Sequence, residues 1–245
     1  MAHVLLSNDD GIHAEGIIAL YEALRKKHRV TVVAPSEQRS AAGHGITVSG
    51  SLRVEKAGIG YAVSGSPADC VLLGLCKIAP EAEIVVSGMN AGPNVGGDTH
   101  YSGTVSAAME GVFQGRPALA FSVRTRGNFH NSAYCGEVSA EIFEAFLQDP
   151  LPLGCLLNVN LPNLQQGDRP QIAVAPLGLQ HYNQDFTSPA ENEYRYGPFL
   201  NEFPGTGSDG DEMRAGKIVL TPLHWDMTAH AQLGAAARIA KSLRP

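Results

Sequence analysis

The most constraining feature of the chain lies in its first 35 residues, where two apolar runs flank a helical pattern. Residues 3–8 have the composition of a buried strand, and β-branched residues dominate residues 29–34 before Pro35 closes the run. Between them, residues 16–24 place apolar side chains at helical spacing. A strand, a helix and a strand joined by short connections form a βαβ unit with parallel strands. This start predicts an α/β protein with a mostly parallel sheet.

Two adjacent carboxylates, Asp9 and Asp10, follow the first apolar run. Successive side chains of a strand point to opposite faces, so the chain must turn before both can reach one point, and Gly11 eases that turn. At the carboxyl end of a parallel strand, two such carboxylates repel each other unless a cation lies between them. Oxygen ligands favour Mg²⁺ or Mn²⁺. The alternative is that one aspartate caps the helix and the other is solvated.

The composition restricts the size of the protein and its partners. A chain of 245 residues, 44% hydrophobic and 17% charged, allows one large domain, or a core domain with an extension, around a substantial core. The net charge of −6 argues against binding to nucleic acid polymers or anionic membranes. An anionic substrate must therefore be attracted locally, by a metal ion, backbone amides or a helix dipole.

The cysteines and the lack of targeting signals favour a cytoplasmic location. The four cysteines form no C-x-x-C pair and no metal-ligand spacing, and they are too few for a disulfide scaffold in a chain of this length. Cys70 and Cys76 fall in an apolar helical pattern and are expected in the core. No apolar run reaches membrane-spanning length, and no basic leader precedes the first strand, so we expect a cytoplasmic protein.

A polar loop, residues 36–45, follows the second strand and should border the acidic turn. Ser40 offers a hydroxyl oxygen at this border and Arg39 offers a cation, although either can be an ordinary loop residue. We interpret His44 as a loop histidine and not as a ligand.

Residues 46–65 predict an antiparallel hairpin that leaves the parallel sheet, with glycines marking its turn. Its short apolar runs are residues 46–48, 52–54 and 61–63. A helix should follow directly, because Ser66 is a good N-cap, Pro67 suits the first helical position and Asp69 suits the third.

A third core strand, residues 83–88, leads into a loop rich in asparagine and glycine, residues 89–101. Glycines in this loop allow the backbone to approach a ligand closely. Asn90 and Asn94 carry neutral amides, which can ligate a metal ion or donate a hydrogen bond to an oxyanion. We therefore expect this loop to supply further ligands or hydrogen-bond donors to the site formed by Asp9 and Asp10.

The segment Ser102-Gly103-Thr104 begins the next helix. Backbone amides, hydroxyl donors and the positive end of the helix dipole converge at such a start and suit a phosphate group. The signal is weak alone, because serine and threonine begin many helices, and it gains weight from its place after a core strand. The chain has neither a Walker sequence nor a G-x-G-x-x-G motif, so binding of NTPs or dinucleotides in those modes is unsupported.

The rest of the chain continues the α/β alternation and then changes character. The predicted elements are a strand at 117–123, an amphipathic helix at 133–148, a strand at 156–162, a late strand at 217–223 and a final helix at 228–243. Asn158 and Asn160 fall on one face of their strand. Residues 180–215 lack periodicity and are too long for a plain loop. An irregular arm followed by a late strand and helix predicts exchange between subunits.

Segments along most of the chain, in order, resemble the SurE family of stationary-phase survival proteins, which act as metal-dependent nucleotidases. The segments are LSNDDGI at 6–12, AP at 34–35 with QRS at 38–40, GSPADC at 65–70, SGMNAGPNVG at 87–96, YSGTVSAAME at 101–110, LNVNLP at 157–162, GSD at 207–209 and TPL at 221–223. The chain departs from the family pattern at three positions. Glu15 stands where proline is frequent, Ser66 stands where threonine is more usual, and His100 precedes the Tyr-Ser-Gly-Thr run.

The resemblance implies specific roles for eight residues. The positions that match the family's metal ligands are Asp9, Asp10, Ser40 and Asn90. The positions placed around the phosphate are Asn94, Ser102, Gly103 and Thr104. The resemblance also implies a Rossmann-like, mostly parallel three-layer sandwich with an antiparallel hairpin excursion and a C-terminal swapped arm that builds homodimers or homotetramers. On this basis residues 1–176 form the catalytic core, and residues 177–245 form an oligomerisation arm whose late strand and helix complete one functional domain.

The resulting hypothesis is a phosphomonoester hydrolase with one divalent ion, Mg²⁺ or Mn²⁺, per subunit. Its expected substrates are nucleoside 5′-monophosphates, with 3′-monophosphates and short polyphosphate as further candidates. The ion would polarise a phosphoryl oxygen and activate a water, Asp9 or Asp10 would take the proton of that water, and Asn94 would donate to the phosphate.

Two alternatives stay open at the level of the sequence. The first is a nucleotide-binding sensor without turnover. The second is a phosphatase that forms an aspartyl phosphate. The haloacid-dehalogenase pattern separates its two aspartates by one residue, whereas Asp9 and Asp10 are adjacent.

Overall fold

The computed structural model describes residues 1–125, 127–179, 181–182, 186–196, 201–202 and 207–243. The strands in this part of the chain are β1 (His3–Ser7), β2 (Arg29–Pro35), β3 (Val54–Ala57), β4 (Gly60–Val63), β5 (Ile84–Ala91), β6 (Ala118–Arg124), β7 (Cys155–Pro162), β8 (Ile172–Val174), β9 (His181–Tyr182), β10 (Phe186–Ala190), β11 (Glu193–Tyr196), β12 (Asn201–Glu202) and β13 (Ile218–His224). The α-helices are α1 (Glu15–Leu24), α2 (Pro67–Leu73), α3 (Gly103–Phe113), α4 (Ser132–Gln148), α5 (Asp209–Arg214) and α6 (Leu233–Ser242).

The central sheet is mostly parallel, as the sequence predicts. Six neighbouring strands, β4-β2-β1-β5-β6-β7, run in one direction. At one edge β3 pairs antiparallel with β4. Near the other edge β13 pairs antiparallel with β7, and β8 lies outside β13 and parallel to it.

The side chains of β1 show how the sheet divides the protein into three layers. Val4 and Leu6 pack into the apolar cluster that also contains residues of α1 and α4, and Leu5 packs into the cluster that contains residues of α2 and α3. All three side chains are fully buried, and each such burial stabilises the fold by about 1.5–3 kcal/mol. Helices therefore cover both faces of the sheet, which is usual for parallel sheets.

The strand order reverses between β1 and β5. The chain leaves β1 through α1 to reach β2 on one side, whereas it leaves β5 through α3 to reach β6 on the other. In doubly wound sheets a crevice forms outside the carboxyl ends of the strands at such a switch point. Asp9 and Asp10 follow β1 at this end, and Asn90 lies near the end of β5.

The predicted hairpin is confirmed, but it begins later than expected. Its strands are β3 and β4, and the predicted strand segments at 46–48 and 52–53 lie outside them. Thr47 instead donates its backbone N–H and its hydroxyl to the carboxylate of Asp69, at 2.8 and 2.7 Å. A side chain thus satisfies the backbone group that a strand would have paired. The predicted start of α2 is confirmed, because Ser66 and Asp69 form a reciprocal capping box.

One of the two cysteines expected in the core lies elsewhere. Cys70 is fully buried, whereas Cys76 is exposed. The cause is a change of helical period, because α2 ends at Leu73 and a π-helical turn, Gly74–Ile78, follows. The wider turn shifts the face on which each following side chain lies.

The C-terminal part of the chain contributes to the central sheet. The late strand predicted at 217–223 is β13, and the final helix forms as a 3₁₀ turn, His230–Gln232, followed by α6. Parts of the irregular segment 180–215 lie outside the described residues, while β10 and β11 within it form an antiparallel pair. Among the described residues, no helix has both the length and the apolar character needed to cross a membrane.

Candidate metal and phosphate site

The acidic turn after β1 is fixed by hydrogen bonds from within the turn and from the loop after β2. Asn8 donates its side-chain amide to the carbonyl of Gly11 at 2.9 Å, and Gly11 has a positive φ of 96° that favours glycine. The backbone N–H of Arg39 donates to the carbonyl of Asp9 at 2.7 Å. The predicted turn therefore exists, and the loop after β2 borders it as expected.

Asp9 is buried at the centre of the candidate site, with 5% of its surface exposed. Burial raises its pKa to about 6, the hydrogen bond from the Thr104 hydroxyl opposes that rise, and the negative charge of Asp10 adds to it. A buried carboxylate beside a second carboxylate is a place where a cation lowers the free energy of the site.

The N-terminus of α3 packs directly against this carboxylate. A Cβ added to Gly103 would lie 2.7 Å from Cβ of Asp9 and 3.0 Å from its Oδ2. Larger residues are therefore excluded at this position. The helix start predicted to hold phosphate and the turn predicted to hold a cation are in contact.

Asp10 and Ser40 are joined through a residue that sequence reasoning missed. Nε2 of Gln38 donates to Oδ1 of Asp10 at 3.3 Å and to Oγ of Ser40 at 2.9 Å. One amide group therefore reaches both predicted ligands, which places them side by side. Gln38 carries no local signal in the sequence, since it is one polar residue among several in its loop.

The end of β5 reaches the same carboxylate. The backbone N–H of Ala91 donates to Oδ2 of Asp10 at 3.1 Å, so Asn90 lies beside the acidic turn. The side-chain N–H of Asn90 donates to the carbonyl of Gly92 at 2.8 Å, which orients the amide. A cation would use its remaining oxygen, Oδ1.

Asn94 is buried and is held by the neighbouring strands. Its side-chain N–H donates to Oγ of Ser122 at 2.8 Å, and its backbone N–H donates to Oδ1 of Asn160 at 2.8 Å. The carbonyl of Asn94 accepts from the amides of Asn158 and Asn160 at 2.8 and 2.9 Å. Asn94 is thus fixed by two strands, and its side-chain amide has a second hydrogen that could be donated to a phosphate.

The two hydroxyl groups at the start of α3 have different partners. Ser102 is the N-cap and accepts from the backbone N–H of Val105 at 3.1 Å, which leaves its own hydroxyl hydrogen to donate. Thr104 is fully buried and gives its hydroxyl hydrogen to Asp9. Of the two, Ser102 is the one suited to donate a hydroxyl hydrogen bond to a phosphate.

The predicted ligand set fits a hard divalent cation. It combines two carboxylates with a hydroxyl oxygen and an amide oxygen, which suits Mg²⁺ or Mn²⁺. The described residues contain no cluster of three or more His, Cys, Asp and Glu side chains arranged to hold a metal ion, so the candidate site depends on the oxygens of Ser40 and Asn90 beside its two carboxylates.

The histidine of the loop after β2 lies beside the buried face of α3. Nε2 of His44 is 2.9 Å from Oε2 of Glu110, and Gln114 donates to the other oxygen of that carboxylate at 2.8 Å. Burial alone would raise the pKa of Glu110, but these hydrogen bonds outweigh it and hold the pKa below its ordinary value. The placement agrees with the interpretation of His44 as a loop residue.

The fold and the site define the class to which the chain belongs: a doubly wound α/β protein with an oxygen-donor site set against a helix N-terminus at the switch point. The family model for Survival protein SurE matches residues 4–184. A 5′-nucleotidase SurE of Geobacter sulfurreducens is 42% identical, covering 94% of this chain and 91% of that protein. A 5′-nucleotidase SurE of Clostridium beijerinckii is 36% identical, covering 97% and 98%.

A comparison with solved structures also finds a SurE protein. The crystal structure of the SurE protein from Aquifex aeolicus matches with a TM-score of 0.87 and 36% identity, covering 97% of this chain and 99% of that one. The chain belongs to the SurE family.

Proposed function

We propose that this protein is a 5′-nucleotidase, which hydrolyses nucleoside 5′-monophosphates to nucleosides and phosphate with the help of a divalent cation. The observation that carries the proposal is the contact between the acidic turn and the start of α3, in which Thr104 donates to Asp9 and Gly103 packs on it. One ligand can reach a cation and a helix N-terminus together only if the two are adjacent. The relatives named 5′-nucleotidase SurE support the same activity.

Four residues would hold the cation: Asp9, Asp10, Ser40 and Asn90. We propose one Mg²⁺ or Mn²⁺ ion per subunit, since the oxygen donors suit both. When bound, the cation supplies positive charge that offsets the charge developing on the phosphoryl oxygens during the reaction.

The phosphate would lie at the N-terminus of α3. The backbone of Gly103 and Thr104, the hydroxyl of Ser102 and the positive end of the helix dipole provide donors and charge there. Because no side chain separates Gly103 from Asp9, the phosphate can approach the acidic turn closely. Asn94 would donate the second hydrogen of its amide to the phosphate, and Asp9 or Asp10 would accept the proton of the attacking water.

A phosphate-release assay tests the proposal. The purified protein is given 5′-monophosphates, 3′-monophosphates and short polyphosphate, each with Mg²⁺, Mn²⁺ or a chelator. We expect release from 5′-monophosphates that depends on a divalent ion and stops with the chelator. Nucleotide binding without release under every condition would support the sensor and overturn the proposal. A phosphoenzyme trapped by rapid quenching would replace direct attack by water with an aspartyl phosphate.

We also propose that the C-terminal arm builds a homodimer or homotetramer. No residue of α6 is buried, although several of its side chains are apolar. Leu233 and Ile239 are 55% and 64% exposed, and Leu243, at the end of the helix, is 78% exposed. An apolar stripe of this kind is stabilised when a second copy of the chain covers it. Light scattering should give a multiple of the 25.9 kDa chain mass for the wild type and a smaller species for L233S/I239S. A monomeric wild type would contradict this.

We further propose that the protein consists of a catalytic core and an oligomerisation arm and that it is located in the cytoplasm. Residues 1–176 carry the proposed ligands, and residues 177–245 complete the sheet through β13 and supply the subunit contacts. A cytoplasmic location is supported by four free cysteines, which are typical of a reducing compartment, and cell fractionation checks it.

A further inference from the structure

Asp209 is a buried carboxylate outside the eight residues assigned to the site. It is the first residue of α5 and has 0% exposure. A charged side chain buried to this extent is rarely tolerated unless its hydrogen-bonding groups are satisfied. Its partners therefore indicate what the residue does.

Three backbone N–H groups from three parts of the chain donate to this carboxylate. Gly96 donates to Oδ2 at 2.8 Å, and Gly178 and Gly210 donate to Oδ1 at 2.8 and 2.9 Å. Gly210 lies on α5 and Gly178 lies on the segment after β8, so these two fix the local backbone. Gly96 is 113 residues away and belongs to the asparagine-rich loop.

Gly96 occupies the point where that loop turns toward the phosphate-binding helix. It begins a 3₁₀ turn, Gly96–His100, and the backbone N–H groups of Tyr101 and Ser102 both donate to the carbonyl of Asp98 within this turn. Ser102 then caps α3. A displacement of Gly96 therefore passes through one short, hydrogen-bonded turn to the residues proposed to bind phosphate.

The other end of the loop is held independently. Asn94 is fixed by Asn158 and Asn160 on β7 and by Ser122 on β6. The strands of the sheet thus determine the position of residue 94, whereas α5 determines the position of residue 96. Asn90, a proposed cation ligand, precedes both of these points in the chain.

We infer that Asp209 is a positioning residue that sets the place of the turn before the phosphate-binding start of α3, and that it acts on phosphate binding more than on cation binding. The inference rests on the proposed function, since it assigns the α3 start to phosphate. A carboxylate is required because both of its oxygens accept from N–H groups. An asparagine would turn an NH₂ group toward one of these donors and lose at least one hydrogen bond.

The variant D209N tests the inference, with D211N as the matched control. Asp211 lies on the same helix, where its carboxylate bonds to Ser208 in the capping box and to Arg214. The readouts are binding of inorganic phosphate and of Mn²⁺ by calorimetry, together with kcat and KM for a nucleoside 5′-monophosphate.

We expect D209N to weaken phosphate binding and raise KM by about 10- to 100-fold, the size expected when a hydrogen bond to a charged group is lost, and to weaken Mn²⁺ binding by much less. D211N should leave both affinities near the wild-type values. Equal weakening of phosphate and Mn²⁺ binding, or phosphate binding unchanged in D209N, would overturn the inference.

Two further measurements keep the outcomes distinct. If D209N does not fold, as judged by circular dichroism, D209E displaces the carboxylate while retaining its charge and is expected to show the same selective loss of phosphate binding. If the wild type binds phosphate and Mn²⁺ but releases no phosphate from any nucleotide, the proposed function fails, while the calorimetric comparison still decides the role of Asp209.

Discussion

Asp9 and Asp209 are both buried aspartates whose pKa is raised by burial, yet their surroundings differ. Asp209 is surrounded by N–H donors, since Gly96, Gly178 and Gly210 all point at its oxygens. Asp9 receives the hydroxyl of Thr104 and has the negative charge of Asp10 beside it. The hydrogen-bonding capacity of the Asp209 carboxylate is satisfied by the fold, whereas a carboxylate placed beside a second carboxylate calls for a cation.

The variant D9N should show the largest effect of the difference between Asp9 and Asp209, because it removes the charge of Asp9 and keeps the shape of its side chain. We expect kcat/KM for a nucleoside monophosphate to fall by more than about 100-fold, beyond the usual effect of changing a residue outside the ligand set. Mn²⁺ binding by calorimetry should fall with it. A variant within a few-fold of wild type at saturating Mg²⁺ or Mn²⁺ would remove Asp9 from the ligand set.

The stability of D9N should move in the opposite direction to its activity. The raised pKa, about 6, means that the folded protein favours the protonated carboxyl, so the ionised group costs stability at pH values above it. Without metal, the melting temperature of D9N at pH 7 should therefore equal or exceed that of the wild type. A lower melting temperature would mean that the Asp9 carboxylate stabilises the folded protein, contrary to this expectation.

The next test removes the donor to Asp9 with T104V, which retains the volume of the side chain. We expect a loss of about 10- to 100-fold in kcat/KM, because the hydroxyl orients a proposed ligand. S106A is the matched control, since Ser106 lies on the same helix and donates to the carbonyl of Ser102. If both variants lose the same activity, the effect belongs to the helix and not to Asp9.

The smallest test concerns Asp69, a third buried carboxylate, which bonds Thr47 and Ser66. Burial alone would raise its pKa, but these bonds hold the pKa below its ordinary value. Its stabilisation is therefore present above the unfolded pKa, about 4, and is lost as the pH falls through the folded pKa. D69N should lose about 1–3 kcal/mol in urea unfolding at pH 7.

The pH dependence distinguishes this loss from a packing defect. The difference between D69N and wild type should shrink as the pH falls below about 4, because the wild-type carboxylate then loses its charge. E55Q, at an exposed position on β3, is the control and should change stability by less than about 0.5 kcal/mol. A difference that stays constant with pH would assign the loss to packing.

The local parts of this architecture could be predicted from the sequence. The strand, acidic turn and helix at the N-terminus follow from apolar spacing and from Gly11, and the capping box at Ser66 follows from residue types three positions apart. These features depend on neighbours in the chain. The loops that follow the core strands suggested Ser40 and Asn90 as possible ligands, and the resemblance to the SurE family then assigned both of them to the metal ion.

The parts that could not be predicted depend on contacts between distant residues. The hydrogen bond from Gly96 to Asp209 joins positions 113 residues apart. In the sequence Asp209 lies in a segment without periodicity, and the resemblance to the SurE family gives it no role. The amide of Gln38 can bond to both Asp10 and Ser40 only after the fold brings these two residues together. The late start of the hairpin has the same cause, because Asp69 takes the backbone group of Thr47.

The placement of β13 between β7 and β8 bears on how the protein is made. During synthesis β8 leaves the ribosome well before its pairing partner, residues 218–224, exists. Until then the growing chain exposes two strand edges, and Asp209 emerges only shortly before β13. The protein therefore gains its complete sheet and the fixed turn before the proposed phosphate site only after residues 209–224 are made, and a chain released before that point would expose edges that can pair with other chains.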